Sequence, residues 1–230
     1  MEMPKKIRVV SASRVDKPDF LAKTALGRSL SLYRLPMVEL NLFERNTRGL
    51  PAVYNQTIAE SVDDPALLIF AHNDIHLCDF YWADRIFSAL QRFDIVGLAG
   101  NTRRVRNQPG WPFVDTDFTW DSRENLSGLV GHGKGYPPAL LSVYGPPLRE
   151  VKLLDGLLLA CFSNTLRTSG LKFDEQFDFH FYDLDFCRQA EIKKLRMGTC
   201  ALSVVHESSG SVGSELWRAA YERYLRKWGD

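Results

Sequence analysis

The segment Ala66 to Leu77, ALLIFAHNDIHL, constrains the fold of this chain more than any other. Its apolar run is too short for a buried helix and has the look of a strand covered on both faces. It then stops at three polar residues, His72, Asn73 and Asp74. Such groups are not buried without partners, and in open α/β sheets ligands sit beyond the carboxyl ends of the strands. If the extended geometry continues, His72, Asp74 and His76 share one face, because side chains alternate along a strand. Two imidazoles and a carboxylate there form a candidate metal or metal–diphosphate site. The other reading of the same residues is a turn in which Asp74 caps a helix starting near Asp79.

Around this segment, strand and helix patterns alternate, which predicts an α/β fold. Ile7–Ser11 and Met37–Phe43 read as strands. Leu50–Val62, with a proline in its first turn, reads as a helix. Asp79–Leu90 follows as a helix and Ile95–Ala99 as a strand. Val151–Phe162 is an apolar run interrupted by Asp155-Gly156, and Asn164–Gly170 is a short helix ended by glycine. Asp183–Lys194 carries acids at its start and bases at its end, as a helix dipole favours. Thr199–Val205 reads as the last strand and Ser214–Lys227 as a closing amphipathic helix. The pattern predicts a single domain over 1–230, with a loop and helix at 207–230.

Residues 101–150 break the alternation. They are rich in glycine and proline and hold the basic cluster Arg103, Arg104 and Arg106, together with Trp111, Trp120, Tyr136 and Tyr144. Long irregular segments in a compact domain are often functional loops. This one is expected to be either a functional loop-rich insertion or a surface excursion with short strands.

Charge narrows the function. With 29 Lys and Arg against 28 Asp and Glu, the net charge of +1 offers no excess to neutralise a nucleic acid backbone. No apolar run reaches the length of a spanning helix, and the N-terminal MEMPKKIRVVSASR lacks the apolar stretch of a leader. A cytoplasmic location is expected, with peripheral membrane association through the final helix left open. Cys78, Cys161, Cys187 and Cys200 are widely spaced and lie in or beside apolar runs, so buried reduced thiols are expected rather than disulfides.

Two further constellations bear on chemistry. FDEQFDFHFYDLD, from Phe173 to Asp185, contains five acidic residues and no Lys or Arg. Asp183 and Asp185 open a helix there, and an ionised carboxylate so placed can serve as a general base. His206 ends the last strand, where it can meet Asp74 at one edge of the sheet.

VVSASR, YNQTIAES, LLIFAHNDIHL, LLDGLLLACF…FYDLDFCRQA and VVHESSG occur in an order that resembles the family 2 glycosyltransferases of GT-A fold. The similarity is greatest to a small bacterial subgroup in which a histidine opens the aspartate motif, and it runs from about Ile7 to Gly210. It implies a mixed, mostly parallel central sheet flanked by helices and a role in bacterial polysaccharide biosynthesis. It also implies inverting transfer from a nucleoside diphosphate sugar, UDP-sugars favoured, to a saccharide or lipid-linked acceptor. By that resemblance His72, Asn73 and Asp74 stand at the DXD-type motif, with His72 and Asn73 replacing aspartates. Asp74 and His206 would be ligands to Mn²⁺ or Mg²⁺. Asp183 would be the base, beside Tyr182 where the family has glutamate. Ser11, Ala12, Ser13, Arg14 and Asn55 would line the nucleotide pocket, and Asp155, Gly156 and Asp185 the acceptor side, where the loop-rich 101–150 would also lie, its aromatics either stacking on an acceptor sugar or pinning the loop.

Two other functions compete. A metal-dependent hydrolase would gather His72, Asp74, His76 and His206 around zinc. A non-catalytic nucleotide-sugar or carbohydrate-binding module would keep the fold without turnover. The oligomeric state is not legible.

Overall fold

The computed structural model describes residues 4–208 and 212–229. In its larger sheet the β-branched stretch Ile7–Ala12 (β1) runs parallel to β2 (Val38–Phe43) on one side and to β3 (Leu67–Ala71) on the other. Every residue of β3 is buried, which accounts for its unbroken apolar sequence. The sheet continues through β11 (Leu158–Phe162), β5 (Ile95–Gly97), β12 (Met197–Thr199) and β9 (Glu150–Val151), in the order β2-β1-β3-β11-β5-β12-β9. It is mixed, as expected, but only half of its neighbouring pairs are parallel. Strand β11 runs antiparallel to β3 and β5, and β9 antiparallel to β12.

A second sheet has the order β10-β6-β7-β13-β4, made of β10 (Leu153–Leu154), β6 (Ala99–Asn101), β7 (Leu126–His132), β13 (Val204–His206) and β4 (Ile75–Leu77), with β8 (Leu140–Gly145) paired to β7. This corrects three expectations. Ile95–Ala99 is two strands, because the chain leaves the first sheet after Gly97 and joins the second at Ala99. A Cβ on Gly100 would lie 2.3 Å from the Leu153 carbonyl oxygen, so only glycine allows that approach. Thr199–Val205 likewise divides between β12 and β13. Residues 101–150 are less irregular than expected, since the β7–β8 hairpin forms part of this sheet.

The helices pack on these sheets. They are α1 (Lys17–Lys23), α2 (Ala25–Leu32), α3 (Leu50–Glu60), α4 (Trp82–Leu90), α5 (Ser163–Ser169), α6 (Tyr182–Ile192) and α7 (Glu215–Trp228). Helix α5 ends at Gly170 in the left-handed region, φ 63°, where glycine carries no Cβ penalty. Helices α1 and α2 lie in a stretch without a strong periodic signal, yet each has a side-chain cap. Asp16 accepts from the Asp19 amide and Thr24 from the Gly27 amide. All four cysteines are free thiols, and Cys161, Cys187 and Cys200 are buried. Among the described residues no helix is long and apolar enough to cross a membrane.

Helix α7 buries Trp217, Ala220 and Tyr224 against the domain. Its far end is held by charge. Asp185 on α6 is fully buried, and its carboxylate accepts from Lys227 Nζ at 2.6 Å, Trp228 Nε1 at 2.9 Å and Gln189 Nε2 at 2.6 Å. Lys227 also reaches Asp174 at 2.6 Å. Lys227→Ala would leave the Asp185 carboxylate buried with only neutral donors. A loss of about 3 kcal/mol in stability is expected, the low end for breaking a buried ion pair. A urea melt checks this. An unchanged midpoint would mean that α7 is held by its apolar face alone.

Candidate functional site

The carboxyl ends of β3 and β13 and the N-terminus of α6 converge on one cleft. After Ala71 the chain turns at Asn73 and Asp74 instead of running straight on, because β4 must fold back against β13. His72 and Asp74 therefore face the cleft, while His76 does not. Its Nδ1 sits 3.4 Å from the Ser29 hydroxyl of α2. The expectation that residues 72, 74 and 76 share a face is overturned by this turn, and with it the four-residue zinc arrangement. Asp74 does not cap α4 either. That helix starts at Trp82, preceded by a turn in which Asp79 accepts from the Tyr81 amide.

Pairing of β13 with β4 and β7 sets His206 beside Ile75 and His132 in register. The result is an Asp74 Oδ2–His206 Nε2 contact of 3.3 Å, with the Ser208 hydroxyl 2.9 Å from the same nitrogen. Burial opposes the charge on Asp74, but the hydrogen bonds from His206 and Ser208 outweigh it and hold the carboxyl down at about 2. Burial also opposes the charge on His206, and the adjacent Asp74 carboxylate overcomes it and raises the imidazole above its ordinary value. The second oxygen, Asp74 Oδ1, is buried and has no hydrogen-bond partner among the described residues. An ionised oxygen in that position is a strong site for a cation. One carboxylate and one imidazole fit a hard divalent ion whose remaining ligands are substrate phosphates and water. Among the described residues no three His, Cys, Asp or Glu groups are gathered for a metal.

Asp183, at the start of α6, lines the same cleft. Its Oδ2 accepts from the Gly156 amide at 2.9 Å and its Oδ1 from the Leu184 amide at 2.9 Å. Burial, and then the neighbouring Asp155 carboxylate, push its carboxyl up to about 7. Gly156 is required at this contact, since a Cβ there would lie 2.5 Å from the Tyr182 hydroxyl and 2.9 Å from Asp183 Cβ. The Tyr182 hydroxyl donates to the Gly156 carbonyl at 2.7 Å and lies 3.0 Å from His72 Nε2. One tyrosine thus ties the end of β3, the Asp155-Gly156 turn and the start of α6 together. Asp155 in turn accepts from the indole of Trp111 at 2.6 Å.

These residues line a cavity of about 340 Å³ that holds His72, Asp74, Asp155, Gly156, Asp183 and His206. A larger cavity, about 660 Å³, adjoins it across Phe179 and His180, which line both. Its walls include Ala12, Ser13, Arg14, Asn73, Arg48 and, from α7, Arg223. Three guanidinium groups against the single carboxylate of Asp178 suit an anionic ligand. Arg48 and Arg223 were not foreseen. Arg48 follows β2, where a basic residue in a strand-end loop is a signal; Arg223 lies on a distant helix, and nothing local marks it.

Three expected site residues fall elsewhere. Ser11 is fully buried inside β1. Asn55 is spent on structure, since its amide donates to the Phe173 carbonyl at 2.8 Å and accepts from the Phe173 amide at 2.9 Å. Asp185 points to α7 rather than to the acceptor side, because it lies two positions after Asp183, about 200° around the helix, and its carboxylate is taken by Lys227. Arg103 and Arg104 are paired with Asp121 and Glu191, so they are not a free basic loop.

No protein family matches the chain by sequence, and no curated protein does. Among solved structures, GalNAc-T7 with UDP, GalNAc and Mn²⁺ superposes at TM-score 0.55 and 12% identity, over 100% of this chain and 49% of that one. S. aureus TarS 1–349 with UDP gives TM-score 0.48 at 10% identity, over 89% of this chain and 61% of that one. The chain thus spans about half to three fifths of these solved chains. The fold is the GT-A-like glycosyltransferase arrangement, a mixed central sheet flanked by helices in one domain.

Proposed function

We propose that the chain transfers a sugar from a nucleoside diphosphate sugar to an acceptor hydroxyl with inversion, Asp183 acting as general base. The observation that carries this reading is one cleft with two unlike carboxylates. Asp74 is ionised and paired with His206, whereas Asp183 has its carboxyl pushed up to about 7. Environments that separate two carboxylates in this way mark separate roles.

In this reading Ser13, Arg14, Arg48 and Asn73 receive the nucleoside diphosphate, and Asp74 and His206 would hold Mn²⁺ or Mg²⁺. When bound, the ion neutralises charge on the diphosphate leaving group. Asp183 takes the proton of the acceptor hydroxyl while that oxygen bonds to the anomeric carbon and the carbon–phosphate-oxygen bond breaks. The nucleoside diphosphate leaves from the opposite face, so the configuration inverts with no covalent intermediate. Gly156 and Leu184 fix the carboxylate through their amides, and Tyr182 fixes the turn that carries it. Because a general base works best with a pKa near the operating pH, the raised value suits the task.

The GalNAc-T7 structure makes UDP and Mn²⁺ the first probes. Calorimetric titration with UDP is expected to show binding that tightens at least tenfold with Mn²⁺ over chelator. GDP, dTDP and CMP serve as comparisons. Binding of none of them, with or without metal, would overturn the transferase reading. Bound UDP without hydrolysis or transfer of UDP-sugars in the presence of glycan acceptors would favour a binding module.

A further inference from the structure

Trp120 is 54% exposed, yet it is held firmly. Its ring stacks on Tyr144 at 5.8 Å and 17°, and meets Phe113 at 5.2 Å and 69°. Its backbone is bridged to Phe113, and the Val114 amide donates to the Thr119 carbonyl at 2.9 Å. Asp115 closes the loop between them by accepting from the Asp117 and Thr119 amides. On the other side Asp121, its side chain 1% exposed, accepts from Asn101, Arg103, Asn125 and the Ser122 amide. An indole that costs apolar burial when left in water is thus braced from both sides to keep one face open.

The same rings lead into the cleft. Tyr144 meets Trp111 edge-on at 4.9 Å and 87°, and Trp111 donates to Asp155 beside Asp183. Trp120 and Tyr144 line the cavity of Asp183 and also a separate cavity of about 320 Å³ on its outer side. The outer cavity adds Asp121, Arg123 and Ser142 to the apolar Leu141 and Val143. One aromatic wall therefore separates an inner and an outer space.

We infer that the outer cavity is a second saccharide subsite, so that the acceptor is a chain of at least two sugar units. This rests on the transferase reading above. The terminal unit lies near Asp183 and the next unit lies on the Trp120 ring. A pyranose has C–H groups on one face and hydroxyls around its rim. It therefore matches a wall that is aromatic on one side and bears a guanidinium and a hydroxyl on the other. A hydrocarbon chain would desolvate the Arg123 guanidinium without replacing its hydrogen bonds to water.

The test is binding of the labelled protein to an immobilised glycan array carrying chains of one to six units, with a UDP titration alongside. The wild type is expected to prefer chains of two or more units over the matching single sugars. Trp120→Ala is expected to weaken chain binding about tenfold, and Trp120→Phe to restore most of it. Arg123→Ala, at an exposed position that folding does not depend on, is expected to weaken chains several-fold and leave single sugars alone. Melting temperatures check that each variant is folded. The subsite is overturned if no glycan binds, if single sugars bind as well as chains, or if neither variant differs from wild type. It is also overturned if Trp120→Ala instead abolishes binding to phospholipid vesicles, which would make the outer cavity a lipid contact. If UDP binds and glycans fail, the transferase reading stands and only the subsite falls; if UDP fails too, both fall.

Discussion

Asp183→Asn is expected to lower kcat by about 10²- to 10⁴-fold, the range for removing a general base, while UDP binds as before. The carboxylate is held by the Gly156 and Leu184 amides and takes no part in the Asp74–His206 contact, so its loss does not disturb that contact. Asparagine keeps one oxygen for the Gly156 or Leu184 amide and cannot take a proton. The wild-type rate should also carry the signature of this group. Since its carboxyl is raised to about 7 by burial and by Asp155, activity should rise with pH through about 7 and then level off. The groups around it are Asp155, Tyr182 on its own helix and the Cys187 thiol, and only Asp155 adds negative charge at neutral pH.

Stability should move the other way. A carboxyl with a raised pKa binds its proton more tightly folded than unfolded. Its stabilising contribution is complete below the unfolded value near 4 and is lost as pH rises to about 7. Above pH 7 the wild type therefore carries a poorly solvated charge that Asp183→Asn removes. The variant should melt at or above the wild-type temperature at pH 8, although it is almost inactive. A variant that turns over within a few-fold of wild type, with the same pH profile, would take Asp183 out of the base role.

What could be read in the sequence was whatever depends on neighbours along the chain. The run into His72-Asn73-Asp74 revealed β3 because a strand buried on both faces is apolar throughout. Helix α6 revealed itself by its acidic first turn, and Lys193 and Lys194, read as its basic end, lie just past its last residue. What could not be read depends on partners far away in sequence. The turn that sends His76 to Ser29 is imposed by β13, more than a hundred residues later. Two carboxylates two positions apart, Asp183 and Asp185, differ in their partners because one meets Gly156 and the other meets Lys227. An apolar run such as Ile95–Ala99 reads the same whether it is one strand or crosses between two sheets. Asn55 sits on α3, whose first residue, Leu50, lines the arginine-walled cavity, but its amide was claimed by Phe173.

Asp74→Asn is expected to remove the effect of divalent metal on the UDP complex. The argument starts from the orphaned Oδ1. A carboxyl held at about 2 is ionised throughout the neutral range, and a buried ionised oxygen with no partner among the described residues is costly unless something binds it. A divalent cation bound there at about a hundred times its Kd would stabilise the folded state by about 2.7 kcal/mol. For a domain of this size that corresponds to roughly 5–10 °C in melting temperature. Wild-type protein with UDP should gain that shift on adding Mn²⁺ and lose it with chelator. Asp74→Asn, which has no charge to offer, should show little of it. His206→Ala should keep part, because the carboxylate remains and only the imidazole ligand is gone. These melts need no acceptor and no turnover, so they test the metal separately from the base. An equal Mn²⁺ shift in wild type and Asp74→Asn would place the cation elsewhere. No shift in either would leave Arg14, Arg48 and Arg223 to balance the diphosphate charge without a metal.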